Sequence, residues 1–269
     1  MGALGIDLGG GHIRVGLVRK GRVVRVETHL LDNRTSKQKI VKQVLNAIDG
    51  MFNRSISGIG VGVPAYVKNG VVFDAGNIPA FQNINLEKIL KARYGVPVAL
   101  NNDANCFAFG QGIQKGILVG LILGTGVGAG IVVDGRILSG SNCGAGEFGR
   151  IPFRNGTVED YCSGKFFIRR GSDGESVAAM AAKGQRAAKQ AFSEYGGYLG
   201  EALGIIVHSL DPDRIVLGGS VANSYTYFRR SMEASLRHQI SGRVLKHLRI
   251  APSAKRHAAI IGAAQLVTK

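Results

Sequence analysis

Asp103 stands in Asn101-Asn102-Asp103-Ala104-Asn105, where the mostly apolar run Val96 to Leu100 gives way to a new segment. Asn and Asp are turn and cap residues, so a turn accounts for the cluster. The sharper reading is a catalytic carboxylate at the mouth of a sheet. A second carboxylate, Asp7, ends an apolar run and precedes Gly9-Gly10-Gly11 and His12. Glycine lets backbone N–H groups approach a phosphate with no Cβ in the way. A carboxylate leaving a strand end towards phosphates is expected to hold Mg2+, directly or through water. The plain alternative is a strand-end residue bonded to nearby amides.

The glycine run has a counterpart further on. Gly5 to Val18 reads GIDLGGGHIRVGLV, and Gly120 to Val133 reads GLILGTGVGAGIVV. Each starts as an apolar strand and breaks at Leu-Gly. Each returns as a β-branched strand and turns again, at Lys20-Gly21 or Asp134-Gly135, as a strand, Gly-loop, strand hairpin does. The shared spacing indicates a duplicated unit, whose two loops could hold a polyphosphate tail from both sides. The copies differ where the first has Asp7 and the second Ile122. No Gly-Lys-[Ser/Thr] follows and neither loop opens a helix, so the Walker and dinucleotide fingerprints both fail.

The elements that must position these residues are legible from periodicity and breakers. Thr35 to Asn53 reads as an amphipathic helix, Gly58 to Val63 as a buried strand stopped by Pro64, and Val71 to Phe73 as a short strand. Asn85 caps a helix from Leu86 to Tyr94; Val96 to Leu100 is a strand, and a helix begins near Ala104. Ser139 to Gly164 is Gly-rich and irregular. Glu175 to Leu210 reads as two helices, Arg214 to Leu217 as a strand closed by Gly218-Gly219, Tyr225 to Arg237 as a helix, Leu248 to Ala251 as a strand. Ala258 to Val267 is a small-residue helix able to pack closely on a sheet. Opening strands followed by alternating α and β, given twice, describe two α/β domains with a cleft.

Composition bounds the rest. A chain of 269 residues that is 45% hydrophobic can bury real cores, which excludes disorder. Lys and Arg number 34 against 18 Asp and Glu, a net charge of +16 that favours polyanions. The charge is spread along the chain, as on a solvated basic surface, and no dedicated nucleic-acid site is expected. Cys106, Cys143 and Cys162 are odd in number and form no CxxC pair, which fits a reducing cytoplasm. No signal peptide and no membrane span is expected.

In this order the motifs resemble the ROK family of repressors, open reading frames and sugar kinases, over nearly the whole chain. Gly5-Ile6-Asp7-Leu8-Gly9-Gly10 and Leu123-Gly124-Thr125-Gly126-Val127-Gly128 resemble its phosphate motifs, Asn102-Asp103-Ala104-Asn105 its catalytic motif, Leu217-Gly218-Gly219 its adenosine motif, and Ile260-Ile261-Gly262-Ala263-Ala264 its closing helix. The resemblance implies two ribonuclease-H-like domains of the actin and hexokinase type: a small one over 1–106, with the closing helix 257–269 packed on it, and a larger one over 107–256. It implies ATP-dependent phosphorylation of a sugar hydroxyl, on a hexose such as glucose or on an N-acetylhexosamine. Mg-ATP would lie between the loops, held by Asp7, Gly9, Gly10, Gly11, His12, Gly124, Thr125, Gly126, Gly218 and Gly219. Asp103 would be the base; a carboxylate weakened by a helix N-terminus suffices if the transition state is loose. Asn77, Asn102, Asp103, Glu147, Arg150 and Glu159 match sugar-contacting positions, and a homodimer is implied.

The sequence also departs from the family. Many members carry a zinc-binding His and closely spaced cysteines; here Arg150 stands at the His, and no Cys lies between Ile151 and Glu159. No structural zinc is expected; Arg150 could bind a hydroxyl, favour an acidic sugar or pair with Glu147, and the pairing is the favoured expectation. Gly11-His12 replaces a usual Thr-Lys, which removes a hydroxyl and a cation near the phosphates. Two other functions stand beside the ATP-dependent kinase: a sugar-responsive or nucleic-acid-binding regulator without kinase activity, and a kinase using polyphosphate.

Overall fold

The computed structural model of the chain describes residues 1–141 and 143–268. β1 (Gly2–Leu8) passes through the Gly9–Gly11 turn into β2 (His12–Arg19), and a turn at Lys20-Gly21, both at positive φ, leads to β3 (Arg22–Leu30). α1 (Lys37–Asp49) is shorter than the expected helix because Ser36 caps it, accepting from Lys39 N. β4 (Ile56–Val63), β5 (Tyr66–Lys68), β6 (Val71–Phe73) and β7 (Ile84–Asn85) follow. α2 (Leu86–Tyr94) has the expected Asn85 cap, and β8 (Val98–Asn102) feeds α3 (Asp103–Gln111).

The second half holds β9 (Ile117–Leu123), β10 (Val127–Val133) and β11 (Arg136–Ile137). Within the stretch read as irregular lie a tight hairpin, β12 (Pro152–Phe153) and β13 (Gly156–Thr157), and a short α4 (Val158–Cys162). Then come α5 (Lys165–Ile168), α6 (Gly174–Ala182), α7 (Arg186–Leu210), β14 (Arg214–Gly218), α8 (Tyr225–Arg237), α9 (Gly242–His247), β15 (Arg249–Pro252) and α10 (Ala258–Gln265).

Two five-stranded sheets have the orders β3-β2-β1-β4-β8 and β11-β10-β9-β14-β15. Numbered within its own half, each reads 3-2-1-4-5, the ribonuclease-H-like order, so the duplication seen in the hairpins extends to whole sheets. In the first, β1 is antiparallel to β2 and parallel to β4, and β4 is parallel to β8.

The chain divides into two compact units. Unit 1 is Met1–Gly112, Gly130–Ala145 and Lys255–Lys269; unit 2 is Ile113–Ala129 and Gly146–Ala254. A division at 106 would cut α3, which packs as one piece on α10. Period-2 alternation gives the unit 1 sheet two unlike faces. Leu4, Ile6 and Leu8 of β1 and Ile59, Val61 and Val63 of β4 join Ile40, Val44 and Leu90 of the helices in one core. The opposite face presents Ala3, Gly5 and Asp7 beside Gly58, Gly60 and Gly62, and α10 lies on it. A Cβ at Gly60 would fall 1.7 Å from the Ala263 carbonyl, and one at Gly262 would fall 1.8 Å from that of Cys106. Small residues on sheet and helix alike are therefore what lets β4, α10 and α3 stack so closely.

Unit 2 is built on an aromatic core. Phe166, Phe167, Phe192, Tyr195 and Phe228 are buried together, and each such side chain contributes about 1.5–3 kcal/mol by leaving water. Tyr195 satisfies its hydroxyl by donating to the Cys162 carbonyl at 2.8 Å.

Candidate active site

In unit 1 the strand ends carry the chemistry. Asn102 ends β8 in extended conformation and caps α3, its Oδ1 accepting from Ala104 N at 2.9 Å and Asn105 N at 3.3 Å. Asp103 is the first helical residue and also accepts from Ala104 N, at 2.8 Å, so its carboxylate sits against the positive end of the helix. Asn105 is buried and donates to Asn101 Oδ1 at 2.9 Å. The asparagines thus build the cap, and Asp103 is the one member of the cluster with an ionisable group.

Asp7 lies close by. It pairs in register with Gly62, and a Cβ at Gly62 would stand 3.4 Å from the Asp103 Cα. Cys106, buried beneath, has its thiol pushed well up by burial and then by the charges of Asp103 and Asp7, so both carboxylates bear on one spot. Burial also raises the Asp7 pKa, against the lowering effect of Arg14, whose Nη1 donates to Asp7 Oδ2 at 3.2 Å. A carboxylate held at 16% side-chain exposure with a raised pKa is a ready cation ligand, so Asp7 fits the Mg2+ role read from its position.

The first glycine turn adjoins these groups. Gly9 N donates to His12 O at 2.8 Å, and Leu31 N to Gly11 O at 2.9 Å. A Cβ at Gly11 would meet nothing within 4 Å, so no protein atom demands glycine there; the open space suits a ligand approaching the backbone. A Cβ at Gly10 would stand 3.9 Å from Asn77, whose carbonyl accepts from Asn33 Nδ2 at 3.0 Å. Unit 1 therefore brings together Asp7, Gly9, Gly10, Gly11, His12, Asn77, Asn102 and Asp103.

Unit 2 gathers the remaining candidates. Gly124 N donates to Gly126 O at 3.0 Å, and Gly164 N donates back to Gly124 O at 2.7 Å, which closes the second turn. Glu159 braces that turn: Oε2 accepts from Val127 N at 3.0 Å, and Oε1 pairs with Lys165 Nζ at 2.6 Å. Glu147 precedes a 3-10 turn, Phe148–Arg150, and its Oε2 lies 3.0 Å from Arg150 Nε. Among the described residues, no group of three or more His, Cys, Asp or Glu is placed to hold a metal.

The segment without cysteines is held by other means. Arg154 stands in the hairpin turn at φ +55, with one guanidinium nitrogen within 2.6 and 2.7 Å of both Glu201 oxygens and its Cζ over the Tyr198 ring, 4.8 Å from the ring centre. Tyr161 lies edge-on to Phe153 and Tyr198.

A pocket of about 450 Å³ opens beside Gly124 and Thr125. Ile168, Ala178, Phe192 and Val221 give it apolar walls, while Asp173 and Asn223 add polar groups. Ser220 follows Gly219 directly, so the Gly218-Gly219 turn leads into its lining. Ile168 is 61% exposed, an apolar side chain left open at the rim. Sequence reasoning missed Ile168, Asp173, Asn223 and Arg14; Gly218-Gly219 was the signal that led nearest to the pocket.

Duplicated ribonuclease-H-like sheets, glycine turns at strand ends, and a carboxylate at the start of the helix after the fifth strand define a protein of the actin and hexokinase class. The ROK family model matches residues 3–269, and the chain belongs to the ROK family. The N-acetyl-D-glucosamine kinase of Escherichia coli O6:H1 is 30% identical over 256 residues, covering 81% of this chain and 84% of that protein. The ROK family glucokinase of Streptomyces griseus, solved with glucose and AMPPNP, is similar in fold at TM-score 0.84 and 24% identity, over 100% of this chain and 99% of that one. A ROK family transcriptional regulator, homologous to the E. coli MLC protein, is equally similar at TM-score 0.84 and 22% identity, over 99% of this chain but 77% of that one. At these identities the two structures speak to the fold.

Proposed function

We propose that this chain is an ATP-dependent sugar kinase, transferring the γ-phosphoryl group to a hydroxyl of a hexose such as glucose or of an N-acetylhexosamine. The observation that carries the reading is the unit 2 pocket. Its apolar walls beside a glycine turn suit a purine nucleoside followed by phosphates, whereas polyphosphate has no group to fill them. This favours ATP over polyphosphate as donor. The family's kinases of N-acetylglucosamine and glucose support the sugar class.

Asp103 orients the attacking hydroxyl and takes its proton, which is expected to contribute about 10²–10⁴-fold. Asn102 and the start of α3 hold that carboxylate in place. Asn77, Glu147, Arg150 and Glu159 are the proposed sugar contacts; a carboxylate oxygen can take more than one hydrogen bond, so Glu159 keeps capacity beyond Val127 and Lys165. Asp7 is the residue that would hold Mg2+, which when bound offsets charge on the transferring phosphoryl group. The glycine turns at Gly9, Gly10, Gly11 and His12 and at Gly124, Thr125 and Gly126 offer backbone N–H groups to phosphates, and Gly218 and Gly219 shape the adenosine end. Homodimer formation and a cytoplasmic setting complete the proposal and rest on family membership and the free cysteines.

The test is ADP release from Mg-ATP across glucose, mannose, fructose, N-acetylglucosamine, N-acetylmannosamine and an acidic sugar, with polyphosphate as parallel donor. Sugar-dependent turnover with ATP is expected, falling at least about 100-fold in Asp103→Asn while AMPPNP still binds. Turnover of that variant near the wild-type rate removes Asp103 from the chemistry. Silence of the folded wild type with both donors favours a sugar-responsive regulator.

A further inference from the structure

The first glycine turn, Gly9-Gly10-Gly11 followed by His12, contains neither a lysine nor a hydroxyl side chain. A triphosphate brought to such a turn meets backbone N–H groups but no fixed positive charge within it. It also meets Asp7, a carboxylate that would repel it where no cation stands beside it. Arg14 answers both problems. It lies two residues beyond His12 on β2, and strand alternation puts both on one face. It is the register partner of Asp7 across the β1–β2 pair. Nη1 donates to Asp7 Oδ2 at 3.2 Å, while the side chain stays 55% exposed, so the guanidinium is anchored at one corner and open to solvent. Its charge is felt by His257, just ahead of α10, where burial and then Arg256 and Arg14 lower the imidazole pKa.

We propose that Arg14 is the phosphate-binding cation of the first glycine turn, held over that turn by Asp7 until an anion arrives. The inference rests on the kinase reading and goes beyond it by naming the residue that supplies the charge. A guanidinium can keep one N–H on a carboxylate and present others to phosphate oxygens in a planar fork, which an ammonium cannot do. The Asp7–Arg14 pair is close to neutral as a unit, so the turn can accept an anion that Asp7 alone would turn away.

The experiment is calorimetric binding of AMPPNP, tripolyphosphate and adenosine to wild type, Arg14→Met and Arg14→Lys, without metal and with Mg2+. Loss of a charge-assisted phosphate contact should weaken AMPPNP and tripolyphosphate binding by about 10- to 100-fold in Arg14→Met. Adenosine should bind that variant as it binds wild type, and Arg14→Lys should recover part of the loss. Unchanged AMPPNP affinity in Arg14→Met overturns the proposal, as does an equal loss for AMPPNP and adenosine. Tripolyphosphate separates this inference from the kinase reading. Arg14-dependent binding of tripolyphosphate by a protein that ignores AMPPNP would keep the anion contact and sink ATP as donor.

Discussion

His257 lies in the field of Arg14. His257 is held below its ordinary pKa by burial first and by Arg256 and Arg14 next. A histidine with a depressed folded-state pKa binds fewer protons folded than unfolded, so its effect on stability turns adverse as pH falls. The adverse contribution is absent well above about pH 6.5, the ordinary value, grows as pH drops towards the lower folded value and levels off beneath it. His257→Gln is therefore expected to lose less melting temperature than wild type between about pH 7.5 and 5. Equal losses in the two proteins would show that His257 does not govern that window. At this scale the sequence was readable by residue type: Asp7 and Asp103 stood out as carboxylates beside glycine or a cap. Arg14 did not, because its meaning lies in a cross-strand pair with Asp7, and one sequence does not display strand register. Ile168 was hidden for a similar reason, since a pocket wall contributed by a short helix leaves no periodic signal.

The hairpin from β12 to β13 shows what elements contribute. Chelating residues are missing from its turn, yet it is fixed on α7 by Arg154, which meets both Glu201 oxygens and stacks on Tyr198. An exposed ion pair alone is worth about 0–1 kcal/mol, and stacking of the guanidinium on an aromatic ring adds about 0.5–1. Arg154→Ala is thus expected to cost about 0.5–2 kcal/mol, visible as a lower denaturation midpoint, with Arg154→Lys recovering only part because an ammonium lacks the guanidinium plane that lies over Tyr198. A midpoint within error of wild type for Arg154→Ala would show that the aromatic contacts of Tyr161 suffice. Long periodic elements such as α1 and α7, and elements with strong end signals such as α2, were legible. β3, α4, α5 and α9 were not. β3 is largely exposed and so lacks the alternation that marks a half-buried strand. The three helices are too short to show a 3.6-residue period, and tertiary packing decides them.

For the molecule as a whole, duplication was the most readable property, because it repeats at the level of hairpin, glycine turn and sheet order. The carboxylates did not repeat: Asp7 belongs to the first copy, and its counterpart is Ile122. Membership of the ROK family, shown over residues 3–269, covers both copies. Among the described residues, no helix is long and apolar enough to cross a membrane. Surface ion pairs such as Arg93–Asp49 and Arg170–Glu194 cancel part of the basic charge, and the net charge of +16 is the part that the carboxylates do not balance. The stacking of α10 on unit 1 has a consequence for how the protein is born. Gly60 and Gly5 form a bare groove that α10 fills, and α10 is translated after all of unit 2. A growing chain on the ribosome must therefore carry unit 1 in an unfinished state, its small-residue sheet face uncovered, while the next unit emerges and folds. Chains arrested before Ala258 should be cut by protease within residues 1–112, whereas released chains should resist. If arrested chains resist equally, α10 is a late addition to a unit already closed, and the first unit matures without waiting for the last.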